Sequence, residues 1–204
     1  PVKGLTITAG ERHDHYDSFG QHYTGQAAIA YALPSATVLR ASWAQGYKAP
    51  SLYQLYGPYG NTALNPEASV GGDVGVEQHL WDGRLMLSAT YFTTHFRHLI
   101  EFLDCPGSPL CGAAFGASGG YYGNLDVAKA DGVELQAAVS VTRDLQVSAN
   151  YSHIRTLDET PGSVTYGMQA YQRPQDAANA SISYTWPHGM NTTVAARFSG
   201  YSTS

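Results

Sequence analysis

The sequence has few charged residues and no long apolar run. Only 13% of its 204 residues are charged, which is about half the share found in ordinary soluble domains. No run of roughly 18 or more apolar residues occurs, so a transmembrane helix is excluded. The formal net charge is −5 and no cluster of Lys and Arg offsets it, so a nucleic-acid partner is not expected.

Signatures of catalysis are also scarce. The sequence has no His-Glu-x-x-His motif and no glycine-rich phosphate-binding loop at a helix start. We therefore predict no catalytic residues, no cofactor and no enzyme activity. Catalytic Ser, His and Asp residues can meet in space without any fixed spacing in the sequence. An enzyme therefore stays open as an alternative.

The chain has only two cysteines, Cys105 and Cys111, and both fall in one segment rich in Gly and Pro. We predict that they form a disulfide bond, which implies an oxidising compartment. A metal pair is disfavoured because no further Cys or His lies nearby at a spacing typical of zinc sites.

Tyr and Gly are plentiful, with 15 and 22 residues, and many segments alternate between apolar and small polar residues. Residues 133–141 and 145–152 are the clearest examples. Alternation with a period of two is typical of strands that have one apolar face. It predicts nine strands, at 3–12, 22–33, 36–47, 68–80, 84–103, 121–142, 145–157, 175–186 and 190–201.

The predicted connections alternate between short and long. The short ones lie at 32–36, 81–84, 142–145 and 186–189, and Asp82-Gly83 is a strong hairpin signal. The long ones lie at 13–21, 48–67, 104–120 and 158–174. An up-and-down barrel in an outer membrane, with short periplasmic turns and long extracellular loops, has this pattern.

We therefore predict an all-β fold, a partial antiparallel up-and-down transmembrane β-barrel of about nine strands. Trp81, Tyr184 and Trp186 fall beside short turns, where an aromatic girdle is expected. Nine strands do not close an even-stranded barrel, and Pro1 is not a natural start. We expect residues 1–204 to be an incomplete piece of a larger protein.

Three linked motifs resemble those of one protein family. The first is Gly46-Tyr-Lys-Ala-Pro50, followed by Leu55-Tyr56-Gly57 and then by Gly60-Asn-Thr-Ala-Leu-Asn-Pro-Glu67. The second is Gly75-Val76-Glu77, and the third is Tyr122-Gly-Asn124 followed by Asp131-Gly-Val-Glu134. Together they resemble the barrels of TonB-dependent outer-membrane receptors, and their closest likeness is to cobalamin receptors.

This resemblance implies a barrel of roughly 22 strands with an N-terminal plug in its lumen, of which residues 1–204 are a C-terminal portion. The plug and the last strands of that barrel would lie outside this chain. The implied function is TonB-dependent uptake of cobalamin or a ferric siderophore across the bacterial outer membrane. The implied partners are that ligand, outer-membrane lipid, and TonB through the N-terminal region.

Tyr and Asn in the predicted outer loops are the candidate ligand-binding residues, because Tyr offers broad amphipathic contact at a low cost in side-chain entropy. They are Tyr53, Tyr56, Tyr59, Asn61, Tyr121, Tyr122, Tyr166 and Tyr171. The alternative for each Tyr is that it joins the outer aromatic girdle or packs one loop on another.

The segment His13-Asp-His-Tyr-Asp17 raises the question of a metal site. Asp14 and Asp17 are weak candidates for calcium, and His13 and His15 for a transition metal. Because successive side chains of an extended segment point apart, we predict no metal site.

Three other functions compete with the receptor. A passive porin would share the alternation and the long loops, but not the linked motifs. An outer-membrane enzyme would need a hydrogen-bonded nucleophile and base at the rim. A soluble β-sheet domain would bury its apolar face against other protein.

Overall fold

The computed structural model describes residues 3–104, 119–161, 166–169 and 174–200. Cys105, Cys111 and Tyr171, for which a disulfide bond and a binding role are predicted, lie outside the described residues. Within the described part, no helix is both long enough and apolar enough to cross a membrane.

Nine antiparallel strands form a single sheet in which each strand pairs with the next along the chain. The up-and-down prediction is confirmed, and every predicted strand overlaps an observed one. The elements are β1 (Leu5–Tyr16), β2 (Gly20–Ala32), β3 (Thr37–Lys48), α1 (Leu52–Tyr56), β4 (Glu67–Leu80), β5 (Leu85–Asp104), β6 (Gly120–Ser140), β7 (Leu145–Asp158), β8 (Asp176–Thr185) and β9 (Asn191–Ser199).

The strand register places apolar residues side by side on one face of the sheet, here called the apolar face. One hydrogen-bonded row crosses all nine strands without a charged residue. It contains Leu5, Tyr31, Leu39, Val76, Ala89, Leu135, Tyr151, Ala178 and Phe198. A slip of one residue in any pair would move that strand's apolar residues to the other face, so the hydrophobic pattern itself specifies the register.

The row beside it lies on the opposite face, here called the polar face. It contains Thr6, Ala30, Arg40, Gly75, Thr90, Glu134, Ser152, Ala177 and Ser199. Many large residues of the apolar face, such as Ile7, Val74 and Phe198, are exposed. A surface that contacts lipid requires this arrangement, whereas a soluble sheet domain would cover its apolar face with other protein.

Glycines on the polar face let long side chains cross from strand to strand. The Arg40 guanidinium passes over Gly75 and donates to Ser88 Oγ at 3.2 Å and to Thr90 Oγ1 at 2.8 Å. Further along, the Phe92 ring packs over Gly132. Side chains on this face therefore tie β3 to β5, and β5 to β6.

The connections define two ends of the sheet. Residues 33–36, 81–84, 141–144 and 186–190 are short and lie at the turn end. Trp81, Asp82 and Gly83 all have positive φ, at 53°, 54° and 83°, so the predicted Asp-Gly hairpin is present. Tyr184 and Trp186 contact edge to face at the same end, with ring centroids 4.8 Å apart.

Two features of the opposite end, here called the loop end, differ from the sequence-based prediction. The predicted long loop at 13–21 is wrong, because β1 continues to Tyr16 and only residues 17–19 connect it to β2. Gly20 has φ 77°, a conformation that lets glycine close a tight three-residue hairpin. The second difference is α1, which lies inside the long connection at 49–66.

Candidate ligand-binding cleft

A capping box starts α1 at the loop end. Ser51 Oγ accepts a hydrogen bond from Gln54 N at 3.2 Å, and Gln54 Oε1 accepts one from Ser51 N at 2.9 Å. These reciprocal bonds satisfy two backbone donors that a helix start otherwise leaves free. The helix turns Leu55 inward and leaves Tyr53 and Tyr56 on its exposed side.

Leu55 anchors this connection in a small apolar core. It is buried with Leu64 and Ile100, and Phe19 and Tyr122 pack against the same cluster. The core therefore joins the β1–β2 turn, the β3–β4 connection and the paired extensions of β5 and β6. Burial of these side chains stabilises the loop end by about 1.5–3 kcal/mol for each large residue.

Asparagine side chains fasten the same connection to β6. Asn61 Nδ2 donates to Tyr122 O at 3.0 Å, while Asn61 Oδ1 accepts from Ala63 N at 2.9 Å. Asn124 Oδ1 accepts from Asn65 N at 2.8 Å, and Asn124 Nδ2 donates to Asn65 O at 3.0 Å. Residues 61 and 65 are therefore both fixed to β6 by hydrogen bonds between a side-chain amide and a main-chain group.

An open cleft of about 560 Å³ lies between this anchored connection and the β1–β2 turn. Polar, charged and aromatic side chains share its lining. The lining residues with a charged group or an aromatic ring that could contact a ligand include Arg12, Asp14, Tyr16, Tyr47, Lys48 and Tyr56. Concave sites with apolar walls and a few placed polar groups are typical of ligand binding.

Ion pairs hold the charged groups beside the cleft. Arg12 Nε lies 2.7 Å from Asp14 Oδ2, and Lys48 Nζ lies 2.9 Å from Glu67 Oε2. Glu67 Oε1 also accepts from Ile100 N at 2.8 Å, so this carboxylate is fixed from two sides. These ion pairs hold Arg12 and Lys48 at the edge of the cleft.

Aromatic rings fill the gap that opens where the pairing of β2 and β3 ends at Gln26 and Ala44. The Tyr47 ring stacks on His22 with centroids 3.7 Å apart, and it meets Tyr16 at 5.7 Å. Arg12 Nη2 donates to Tyr47 O at 3.4 Å. These contacts form the wall of the cleft below α1.

A second aromatic group lies on the other side of α1. Phe102 meets Tyr59 and Tyr122 edge to face, with centroids 5.4 and 5.6 Å apart, and Tyr53 meets Tyr122 at 6.1 Å. Edge-to-face pairs of this kind stabilise a cluster by about 0.5–1.5 kcal/mol each. Tyr59 and Tyr122 thus serve as packing between loops, with part of their surfaces still accessible.

The predicted site residues fall into different environments. Tyr56 is 70% exposed and lines the cleft, and Tyr53 is 55% exposed beside it. Tyr121 is only 3% exposed and lies within β6, so the structure removes it from the accessible surface. Tyr166 is 62% exposed in the β7–β8 connection and is not part of the cleft lining.

Several cleft residues were missed by the sequence-based prediction, namely Arg12, Tyr16, Phe19, Tyr47 and Lys48. Tyr16 and Phe19 were missed because residues 13–21 are predicted to form an open loop, and Arg12 was missed because it ends the predicted strand at 3–12. Tyr47 and Lys48 sit inside the aromatic-Lys-Ala-Pro motif, so the sequence carried a signal for them.

Residues 13–16 of the His-Asp segment lie on β1, and Asp17 follows it in the turn to β2. In the described part of the chain, no group of three or more His, Cys, Asp or Glu is placed to hold a metal. Asp14 pairs with Arg12, and Asp17 lies 3.8 Å from His15. The His13 ring stacks on Tyr23 with centroids 4.5 Å apart.

Comparison with known proteins identifies the family. The family model described as TonB dependent receptor-like, beta-barrel matches residues 1–204. The iron-regulated outer membrane virulence protein of Vibrio cholerae is 25% identical over 95% of the chain and 31% of its own length. The vitamin B12 transporter of Vibrio vulnificus is 31% identical over 65% of the chain and 20% of its own length.

Structural comparison agrees with this result. The crystal structure of a mutant ferric enterobactin receptor from Pseudomonas aeruginosa superimposes with a TM-score of 0.77 at 23% identity, and covers 98% of the chain. The chain spans 30% of that protein, and less than a third of each of the two relatives. The chain belongs to the TonB-dependent receptor-like β-barrel family, whose members lie in the bacterial outer membrane.

Proposed function

We propose that the chain is the barrel portion of an outer-membrane receptor that takes up a ferric siderophore or cobalamin in a TonB-dependent manner. The observation that carries the proposal is the tyrosine-lined cleft at the loop end of a barrel of this family. Relatives are named as a vitamin B12 transporter and a ferric enterobactin receptor. Binding and transport, without covalent chemistry, account for these features.

The cleft has the chemistry that such ligands need. Tyr16, Tyr47 and Tyr56 line the cleft, and tyrosine rings offer flat amphipathic surface to a ligand. Arg12 and Lys48 are balanced by Asp14 and Asp17 in the same lining, so its formal charge is zero. Charge alone therefore favours neither an anionic ferric chelate nor a neutral corrinoid.

Ligand titration of the full-length protein in detergent tests the proposal. Cyanocobalamin and ferric enterobactin are the two probes, with binding followed by quenching of intrinsic fluorescence. Nanomolar binding of one probe and not the other supports the receptor and selects its ligand. A lack of binding to both, together with free solute flux through the reconstituted protein, would contradict the receptor and support a passive porin.

A further inference from the structure

The ladder between β2 and β3 stops short of the loop end. The pairing of these two strands ends at Gln26 and Ala44, although β2 stays paired with β1, and β3 with β4, as far as the loop end. Residues 20–25 of β2 and 45–48 of β3 therefore face each other without a shared ladder. This open stretch is here called the seam, and it lies in the wall of the cleft.

Two side chains take the place of the ladder in the seam. Gln45 Oε1 accepts a hydrogen bond from Gly25 N at 3.1 Å. On the other side, Arg12 Nη2 crosses from β1 and donates a hydrogen bond to Tyr47 O at 3.4 Å. Each side chain thus satisfies a main-chain group that no neighbouring strand pairs at this height.

The same two main-chain groups would be used if the ladder continued. The existing register, continued by one residue, brings Gly25 opposite Gln45, and two residues further Tyr23 comes opposite Tyr47. Hydrogen-bonded pairs recur at every second residue of an antiparallel ladder, so both of these pairs would be hydrogen-bonded. Gly25 N would exchange the Gln45 side chain for the Gln45 carbonyl, and Tyr47 O would exchange Arg12 for Tyr23 N. The seam can therefore close without leaving either group unsatisfied.

The Tyr47 ring is the wedge that keeps the seam open. It stacks on His22 with ring centroids 3.7 Å apart, meets Tyr16 at 5.7 Å, and lines the cleft. Its hydroxyl group is buried and has no hydrogen-bond partner among the described residues. A buried hydroxyl without a partner is destabilising, so the open seam gains free energy from ring stacking and loses some of it at the hydroxyl.

Closing the seam would carry Tyr47 out of the cleft. Because side chains alternate between the two faces of a strand, a continued ladder would place Tyr47 on the apolar face with Trp43 and Gln45. There it would lie beside Tyr23, which is 61% exposed, so its hydroxyl group would reach solvent. Aromatic pairs across two strands stabilise a sheet. The closed seam would therefore be stabilised by a Tyr23–Tyr47 pair, and the cleft would lose one aromatic wall.

We propose that the seam is a conformational switch that moves Tyr47 between the wall of the cleft and the outer surface of the barrel. In the open form, which this structure shows, Tyr47 stacks on His22 and completes the cleft. In the closed form, β2 and β3 pair as far as Tyr23 and Tyr47. A ligand that contacts Tyr47 in the cleft stabilises the open form, because binding shifts an equilibrium toward the form with the higher affinity. This last step rests on the proposed receptor function, whereas the switch itself does not.

Hydrogen–deuterium exchange of the full-length protein in detergent, without added ligand, tests the switch. The informative amides are those of residues 23, 25, 45 and 47, which the closed ladder would protect. Tyr47→Ala removes the wedge, so we expect the ladder to extend and these amides to exchange several times more slowly than in the parent protein. If the ring only packs the loop end, its removal loosens both strands. Faster or unchanged exchange of these amides in Tyr47→Ala would therefore overturn the proposal.

Gln45→Ala is a second and milder variant. It removes the acceptor that Gly25 N uses in the open form and keeps the main-chain acceptor of the closed form, so exchange of the Gly25 amide should again slow. Tyr47→Phe is the matched control, because it keeps the stacking ring, and we expect the exchange rates of the parent protein. Faster exchange of Gly25 in Gln45→Ala, or slowing in Tyr47→Phe equal to that in Tyr47→Ala, would contradict the switch. Since no ligand is added, failure of the switch is distinguishable from failure of the receptor function.

Discussion

The side-chain amide of Asn61 donates a hydrogen bond to the main-chain carbonyl of Tyr122 at 3.0 Å, across 61 positions of sequence. This bond joins the β3–β4 connection to the start of β6. Tyr122 N returns a bond to Tyr59 O, also at 3.0 Å. The connection that carries α1 and Tyr56 is therefore fixed to the sheet before any ligand arrives, which lowers the entropy that binding must overcome.

Replacing Asn61 with Ala should loosen this connection without unfolding the barrel. Two hydrogen bonds are lost, to Tyr122 O and from Ala63 N, each contributing about 1 kcal/mol, and backbone amides of residues 57–66 should exchange with solvent several times faster. Hydrogen–deuterium exchange of the full-length protein measures the effect. Asn150→Ala is the control, since it removes an Asn150–Asn179 bond in the middle of the sheet. Equal exchange in 57–66 for both variants would contradict this role of Asn61.

Tyr56→Ala should weaken ligand binding and leave stability unchanged. Its side chain is 70% exposed and lines the cleft, so removing it loses contact with ligand but little packing. Tyr is enriched among the few contact residues whose truncation costs more than about 1 kcal/mol, so we expect a loss of affinity of about fivefold or more. Tyr23→Ala is the control, because it removes another exposed ring, 61% accessible, that stacks on His13 and does not line the cleft. If both variants bind the ligand of the parent protein with equal affinity, Tyr56 is not a contact residue.

The two faces of the sheet should respond differently to the same added charge. Leu135 and Gln136 are neighbours on β6, and Leu135 lies on the apolar face and Gln136 on the polar face. Leu135→Arg places a cation in the lipid-facing band and should destabilise the folded barrel by about 2–4 kcal/mol. Gln136→Arg faces the lumen and should cost far less. Equilibrium unfolding in lipid vesicles compares the two variants. Equal losses of stability would contradict the assignment of the faces, and a larger loss for Gln136→Arg would reverse it.

Much of the fold was predictable because the information is local. Period-two alternation identified all nine strands, and Asp82-Gly83 identified one of the tight turns. Helix α1 was also encoded locally, in the capping box that begins at Ser51 and ends at Gln54, but five residues are too few to show helical periodicity. Residues 13–16 were misassigned because alternating His and Asp look like loop and yet pair well with β2.

The cleft was harder to predict because its walls come from distant parts of the chain. Phe19 of the β1–β2 turn and Leu55 of α1 meet in one core, although 36 positions separate them (55 − 19). Tyr56, Asn61 and Tyr121 are equal candidates in the sequence, because all three are Tyr or Asn residues at predicted outer loops. Asn61 uses both polar side-chain atoms on main chain, and Tyr121 is buried. Partners of this kind are fixed by tertiary packing and not by local pattern.

Gly132→Ala should damage the barrel, although it adds a single methyl group. A Cβ at this position would clash with the carbonyl oxygen of His153 and lie 2.8 Å from Phe92 Cζ. Neither the backbone of β7 nor the packed ring gives way easily, so we expect a loss of about 1–3 kcal/mol. Gly25→Ala is the matched control, because its Cβ would meet Trp43 at an ordinary 3.5 Å. Thermal unfolding measures the effect, and we expect a lower midpoint temperature for Gly132→Ala than for Gly25→Ala. Equal midpoint temperatures would show that β6 shifts to accept the methyl group, and that Phe92 does not need the space above Gly132.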